Sequence, residues 1–208
     1  MTGAAAVGAF IAWLAGERRA SPLTVQEYER DLLAFLSFLA RHNGAAPDLA
    51  ALAAVSQADL RGWLAEQAGR GLINATRARH LSAVRSFYRY LARRHGVANL
   101  APGLLATPKP RPPLPRALTP EEALAVAADV GEASDTALVQ ARDTALFTLL
   151  YGCGLRIAEA LALDVRDAPA PGGALRVVGK GAKQRIVPVL PAVRRALEAW
   201  LADRKSVV

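Results

Sequence analysis

The sequence predicts a mainly α-helical protein with one small β-hairpin, divided in two by a proline-rich connector. Three observations carry this. Apolar residues recur at helical spacing along most of the chain. Two short β-branched runs, 174–178 and 185–189, flank the turn Gly179-Lys180-Gly181-Ala182-Lys183, which is a hairpin signal. Residues 98–116 hold Pro102, Pro108, Pro110, Pro112, Pro113 and Pro115, six of the 13 prolines. That density forbids helix and predicts an extended, semi-rigid connector, made basic by Lys109, Arg111 and Arg116. The expected divisions are a helical block over 1–97, the connector over 98–116, a second block over 117–202 and a tail over 203–208.

The first block reads as all-helical. Thr24-Val25-Gln26-Glu27 fits a capping box opening a helix, and Tyr28, Leu32, Phe35, Leu36 and Leu39 then form one apolar face. A second helix is expected over about 57–68, with Leu60, Trp63 and Leu64 inward. A third is expected over about 74–94, with Leu81, Val84, Tyr88 and Leu91 inward. On another face of that helix Arg85, Arg89 and Arg93 recur every four residues, with Arg77 and Arg79 near its start. Like charges at this spacing destabilise a helix by a few tenths of a kcal/mol each. The stripe therefore points to an external counter-charge, for which DNA phosphates are suited; a plain solvated face is the competing reading.

In the second block, Thr119-Pro120-Glu121-Glu122 combines an N-cap, proline at the first helical position and acids in the first turn. A helix over about 140–151 is expected to stop at Gly152 and Gly154, and Tyr151 reads as core. Another helix opens at Arg156 and runs to about residue 163. A last helix is expected over about 192–202.

The 208 residues carry a formal net charge of +8, and 52% are hydrophobic. That content can bury real cores and excludes global disorder. The basic surplus favours a polyanionic partner, nucleic acid before a membrane surface. The single cysteine, Cys153, excludes an internal disulfide and reads as a small core residue. One Cys with scattered His42, His80 and His95 offers no zinc-ligand spacing. The apolar N-terminus has no basic residue before it, unlike a signal peptide, and the run 144–155 is too short to span a bilayer. The expectation is a soluble cytoplasmic protein that engages no membrane.

The segment 149–188 carries the chemistry. Arg156 opens a helix, and its planar fork suits the extra negative charge of a phosphodiester in exchange. Backbone N–H groups at the helix start point the same way. Lys180, at the glycine-flanked hairpin tip, suits reach into a DNA groove and proton donation to a leaving 5′-oxygen. Glu159, one turn after Arg156, is placed to orient the guanidinium. Taken alone, a capping arginine and a turn lysine equally fit ordinary surface positions.

At these residues the sequence resembles a tyrosine recombinase of the XerC/XerD type, within the phage-integrase family. GERRASPLTVQEYERDLLAFLSFLA and LSAVRSFYRYLARR resemble that family's core-binding domain, and TPKPRPPLPRALTPEEA its interdomain linker. YGCGLRIAEALALDVRD resembles the first catalytic-arginine motif and GKGAKQRIVPV the catalytic-lysine hairpin. The resemblance implies a SAM-like helical domain followed by the first part of a mixed α+β catalytic domain. It implies strand cleavage and rejoining at a specific duplex DNA site through a 3′-phosphotyrosyl link, without metal, cofactor or small-molecule ligand. It assigns Arg156 as first catalytic arginine, Lys180 as catalytic lysine and Glu159 as supporting acid. Lys183 and Arg185 become phosphate contacts or hairpin-face charges. Arg77, Arg79, Arg85, Arg89, Arg93, Lys109 and Arg111 become DNA contacts. The intact protein is expected to resolve chromosome dimers as a heterotetramer with a related recombinase.

The family pattern continues with His-x-x-Arg, a further His or Trp, and a tyrosine nucleophile. Here the last histidine is His95 and the last tyrosine Tyr151. The expectation is a C-terminally truncated chain that binds DNA and does not cleave it. The tail over 203–208, DRKSVV, matches the translation of a common sequencing-adapter string and is expected to be adapter-derived. Two other readings stay open: a phage or mobile-element integrase of the same family, and a helical DNA-binding regulator without catalysis.

Overall fold

A computed structural model describes residues 1–110, 117–170 and 172–205; the side chains of 180 and 203–205 fall outside the description. The chain forms two compact units, Met1–Leu114 and Pro115–Val208.

The first unit opens with a helix that the sequence reading did not assign. Helix α1 (Gly3–Gly16) is capped by Thr2, whose Oγ accepts from Ala5 N at 3.2 Å. Ala6, Val7, Phe10 and Leu14 fall on one face and are buried. Gly3 donates its N–H to Pro47 O at 2.7 Å, and a Cβ at Gly3 would collide with that carbonyl. The apolar stretch that imitates a leader is a core element.

Helix α2 (Pro22–Asn43) begins before the expected Thr24. Ser21 is its cap, accepting from Thr24 N at 3.2 Å, and Pro22 sits in the first turn, where its missing N–H is harmless. Thr24 is thus inside the helix, and Glu27 turns to Arg30 and Arg79 instead of closing a capping box. Leu32, Phe35, Leu36 and Leu39 are buried as expected. Helix α3 (Leu49–Ala54) follows. Helix α4 (Gln57–Gly69) opens on a capping box between Ser56 and Asp59 and buries Leu60, Trp63 and Leu64. Helix α5 (Asn74–His95) buries Leu81, Val84, Tyr88 and Leu91 and ends at Gly96, whose φ of 67° suits glycine. Phe10 meets Phe87 at 5.6 Å between ring centroids, and Phe35 meets Trp63 at 4.9 Å.

The connector departs from its expectation. Helix α6 (Ala101–Leu104) occupies part of it, because Pro102 lies in the first turn, the one place a helix tolerates proline. Arg85 fastens this stretch to α5, donating to Pro102 O at 2.8 Å, to Thr107 Oγ1 at 2.7 Å and to Leu105 O.

In the second unit, α7 (Pro120–Glu132) starts on the expected Thr119–Glu122 capping box. Helix α8 (Ala137–Cys153) runs through Gly152 and stops at Gly154, φ 59°. Gly152 is therefore not a stop: a Cβ there would collide with the Val193 side chain. Tyr151 is 49% exposed, not core, since α8 buries Ala145 and Leu149 and residue 151 lies about 200° around the helix from 149. Cys153 is half-buried, and burial pushes its thiol up, as suits a core residue.

After the short helix α9 (Ile157–Leu161), strands β1 (Ala174–Val178) and β2 (Gln184–Pro188) pair antiparallel, with Val177 opposite Arg185 and Leu175 opposite Val187. Leu175, Val177 and Val187 face a core with Leu149, Leu155 and Val193. Helix α10 (Pro191–Lys205) closes the unit; it takes in the backbone of 203–205, while 206–208 lie outside the described residues. No helix among the described residues is long and apolar enough to cross a membrane.

Candidate functional site

Arg156 is the N-cap of α9, in extended conformation, with Glu159 at the third helical position. Glu159 accepts from the Arg156 backbone N at 2.9 Å and from Arg156 Nη1 at 3.0 Å. Glu159 thus holds both the backbone and the side chain of Arg156. The backbone N–H used in this bond is that of the N-cap residue, the reciprocal half of a capping box. Arg185, on β2, closes on the same carboxylate from the other side, Nη1 to Oε1 at 2.8 Å and Nη2 to Oε2 at 2.8 Å. One buried carboxylate therefore ties helix α9 to the hairpin.

The Glu159 side chain is only 5% exposed, whereas Arg156 is 73% exposed and Arg185 39%. The Arg185 fork, then the Arg156 N–H, hold the Glu159 carboxyl down to about 2. It stays ionised at any physiological pH. Two guanidiniums against one carboxylate leave one net positive charge. Arg185 spends its fork inward, while Arg156 commits only Nη1 to Glu159 and keeps its remaining donors outward.

The hairpin turn lies beside this clamp. Gly179 N donates to Lys183 O at 2.8 Å, and Gly181 and Ala182 take left-handed φ of 74° and 59°. A Cβ on Gly179 would stand 3.0 Å from Glu159 Oε1 and 3.3 Å from Arg185 Nη1, so glycine permits the approach. Lys180 follows directly in the chain; its side chain lies outside the description. Lys183 is exposed.

The residue that sequence reasoning undervalued is Arg185. A signal existed: Arg185 is two positions from the buried Val187, hence on the same face of β2. An inward charge needs a buried partner, and Glu159 supplies it.

The α5 arginines divide into two groups. Arg77 donates to Leu64 O at 3.2 Å and to Asn74 Oδ1. Arg79 pairs with the buried Asp31 at 2.7 Å and with Glu27 at 3.0 Å. Arg85 holds the connector. These three serve the fold. Arg89 and Arg93 are exposed, and neither side chain has a hydrogen bond or ion pair among the described residues. Lys109 is exposed, with its carbonyl taken by Asn74 Nδ2 at 2.8 Å, and Arg111 lies outside the described residues.

Residues 7–95 match the phage integrase N-terminal SAM-like domain, and residues 118–207 match the phage integrase family. The chain belongs to the phage integrase family. It is 47% identical over 190 residues to the tyrosine recombinase XerC of Rhodospirillum centenum, covering 91% of this chain and 56% of that protein. It is 46% identical over 192 residues to the tyrosine recombinase XerC of Rhizobium meliloti, covering 92% and 60%. The chain thus spans little more than half the length of these relatives. Two solved structures share its fold: a lambda integrase tetramer bound to a Holliday junction, and the XerH site-specific recombinase bound to its palindromic difH substrate after cleavage. The first has a TM-score of 0.68 at 15% identity, covering 100% of this chain and 57% of the other; the second has 0.66 at 24%, covering 90% and 55%. Within this family the Arg156–Glu159–Arg185 clamp falls in the segment matching the phage integrase family, and the arginine-bearing α5 in the SAM-like domain.

Proposed function

We propose that this chain is the DNA-recognising part of a tyrosine recombinase of the XerC type, gripping a phosphodiester with Arg156 and Lys180. The observation that carries the reading is the shared Glu159 carboxylate. It fixes Arg156 beside the lysine turn and leaves the guanidinium's outer donors free for phosphate oxygens. The names of the two XerC relatives favour this over a phage or mobile-element integrase.

In the whole protein, a tyrosine attacks the scissile phosphate and forms a 3′-phosphotyrosyl link, which a 5′-hydroxyl then displaces. Arg156 stabilises the charge gained on the non-bridging oxygens, and Lys180 protonates the leaving oxygen. The whole protein acts in the cytoplasm with a related recombinase, as a heterotetramer on duplex DNA that resolves chromosome dimers. No histidine or tyrosine follows Tyr151, so this 208-residue chain binds DNA without cleaving it.

The test begins with duplexes that the chain selects from a random pool. Fluorescence anisotropy over a salt series then compares Arg156→Ala and Lys180→Ala with the parent. Each should weaken binding and lower the slope of log K against log salt by about one, the signature of one lost phosphate contact. Failure to select any sequence, or unchanged slopes in both variants, overturns the reading. So does a covalent DNA adduct that survives denaturation, for the claim that this chain does not cleave.

A further inference from the structure

An ionised carboxylate offers about four lone-pair sites, and on Glu159 four donors fill them. Oε1 accepts from Arg156 Nη1 at 3.0 Å and from Arg185 Nη1 at 2.8 Å. Oε2 accepts from the Arg156 backbone N at 2.9 Å and from Arg185 Nη2 at 2.8 Å. Arg185 thus supplies half of the donors. We infer that Arg185 is a positioning residue: by occupying two sites of Glu159 it keeps the Arg156 guanidinium turned outward, toward the phosphate. The inference rests on the reading of Arg156 as a phosphate grip and deepens it. It also takes Arg185 out of the set of phosphate contacts, a role that the sequence left open.

Competition for one buried acid carries the argument. The Glu159 side chain is 5% exposed, so an empty acceptor site on it goes unmet by water and is costly. Arg156 already touches Oε1, and its side chain is 73% exposed with only Nη1 committed. Without Arg185, it is the cation already in contact with the acid. Turning its fork inward would refill both oxygens, since a bidentate arginine–carboxylate pair is the strong geometry. A fork spent on Glu159 is lost to the phosphate, and one arginine on one acid leaves no net charge to offer it.

The two arginines are also held differently. Arg185 lies on β2 opposite Val177, which is 1% exposed, and two residues before the buried Val187, so it stands on the core side of a paired strand. Arg156 caps a helix of five residues, too short to fix its own start. The fixed strand therefore sets where the helix cap and its guanidinium sit. Lysine cannot substitute at 185, because a point charge does not fill two sites in fixed geometry.

The test measures what Arg156 contributes in different backgrounds. That contribution is the change in the slope of log K against log salt on Arg156→Ala, read with the duplex selected above. It should be about one in the parent, near zero in Arg185→Gln, and about one again in Arg185→Gln combined with Glu159→Gln, where no acid remains to draw Arg156 inward. A merely structural role for Arg185 predicts no such recovery. Arg185→Lys keeps the charge and loses the fork, and serves if circular dichroism shows Arg185→Gln to be unfolded. It should lower the contribution, with the same recovery on adding Glu159→Gln. A contribution of about one that persists when Arg185 is replaced overturns the inference, and so does a loss that Glu159→Gln fails to restore. An unchanged slope on Arg156→Ala in the parent sinks the reading of Arg156 beneath it, a result distinct from either.

Discussion

Arginine appears in this molecule in two chemical roles, and the acceptors around each side chain decide which. Arg85 meets three oxygens of its own chain and becomes a strap; Arg89, one turn on, meets none among the described residues and stays available. Arg185 needs a fork, because Glu159 offers both oxygens at once, and lysine as a point charge cannot reproduce that geometry. The consequence can be read in acid. The Glu159 carboxyl sits at about 2, against an ordinary 4.5, so the folded state binds its proton more weakly than the unfolded chain does. The stabilisation it provides is complete above pH 4.5 and is lost as pH falls through about 2. The urea midpoint of the parent should therefore exceed that of Glu159→Gln by a constant margin at neutral pH, and the margin should shrink steadily below pH 4.5. A margin that persists undiminished to pH 2 would show that the clamp is not what lowers this carboxyl.

At the scale of elements, Gly152 and Gly154 differ in what they do. Gly154 ends α8 through its left-handed backbone, and Gly152 lets α10 come close. Gly152→Ala should cost about 1–3 kcal/mol by overpacking, and Gly154→Ala about 1–2 kcal/mol by backbone strain. Thermal unfolding of a double mutant separates the causes: Val193→Ala should recover part of the Gly152→Ala loss and none of the Gly154→Ala loss. Equal recovery of both would contradict the collision with Val193. Sequence alone could not divide the two glycines, since a stop and a close approach call for the same residue. Helices with polar contrast were legible, as α4 and α5 prove by burying every apolar residue expected of them. Helix α1 was not, because no polar residue lies between Thr2 and Glu17, and periodicity without contrast has no face to report. Helix α6 was hidden by counting prolines without asking where in a turn each one falls. In the clamp, Arg156 and Glu159 were legible as neighbours on one helix, whereas Arg185 is 26 residues from Glu159 and only the strand register shows that it points inward.

At the scale of the whole molecule, the two units differ in how they are filled. The buried cluster over residues 6–105 contains Phe10, Phe35, Trp63 and Phe87, rings that each remove a large apolar area from water. The cluster over residues 149–193 is aliphatic, with Leu149, Leu155, Leu175, Val177, Val187 and Val193. Beside it lies a groove of about 450 Å³ lined by Leu146, Leu163, Leu197 and Trp200, so part of that unit's apolar surface is left open. Burial at about 25 cal/mol per Å² makes the aromatic core the more stable of the two. Calorimetry should then resolve two transitions, the lower one belonging to the second unit. Phe10→Ala removes a fully buried ring and should destabilise the first unit by about 3–5 kcal/mol, drawing the upper transition down toward the lower. Gly152→Ala should move the lower transition alone, and the two shifts should add in the double mutant. A single transition that both substitutions shift together would mean that the halves unfold as one body, and the ranking of the two cores would then have no observable consequence.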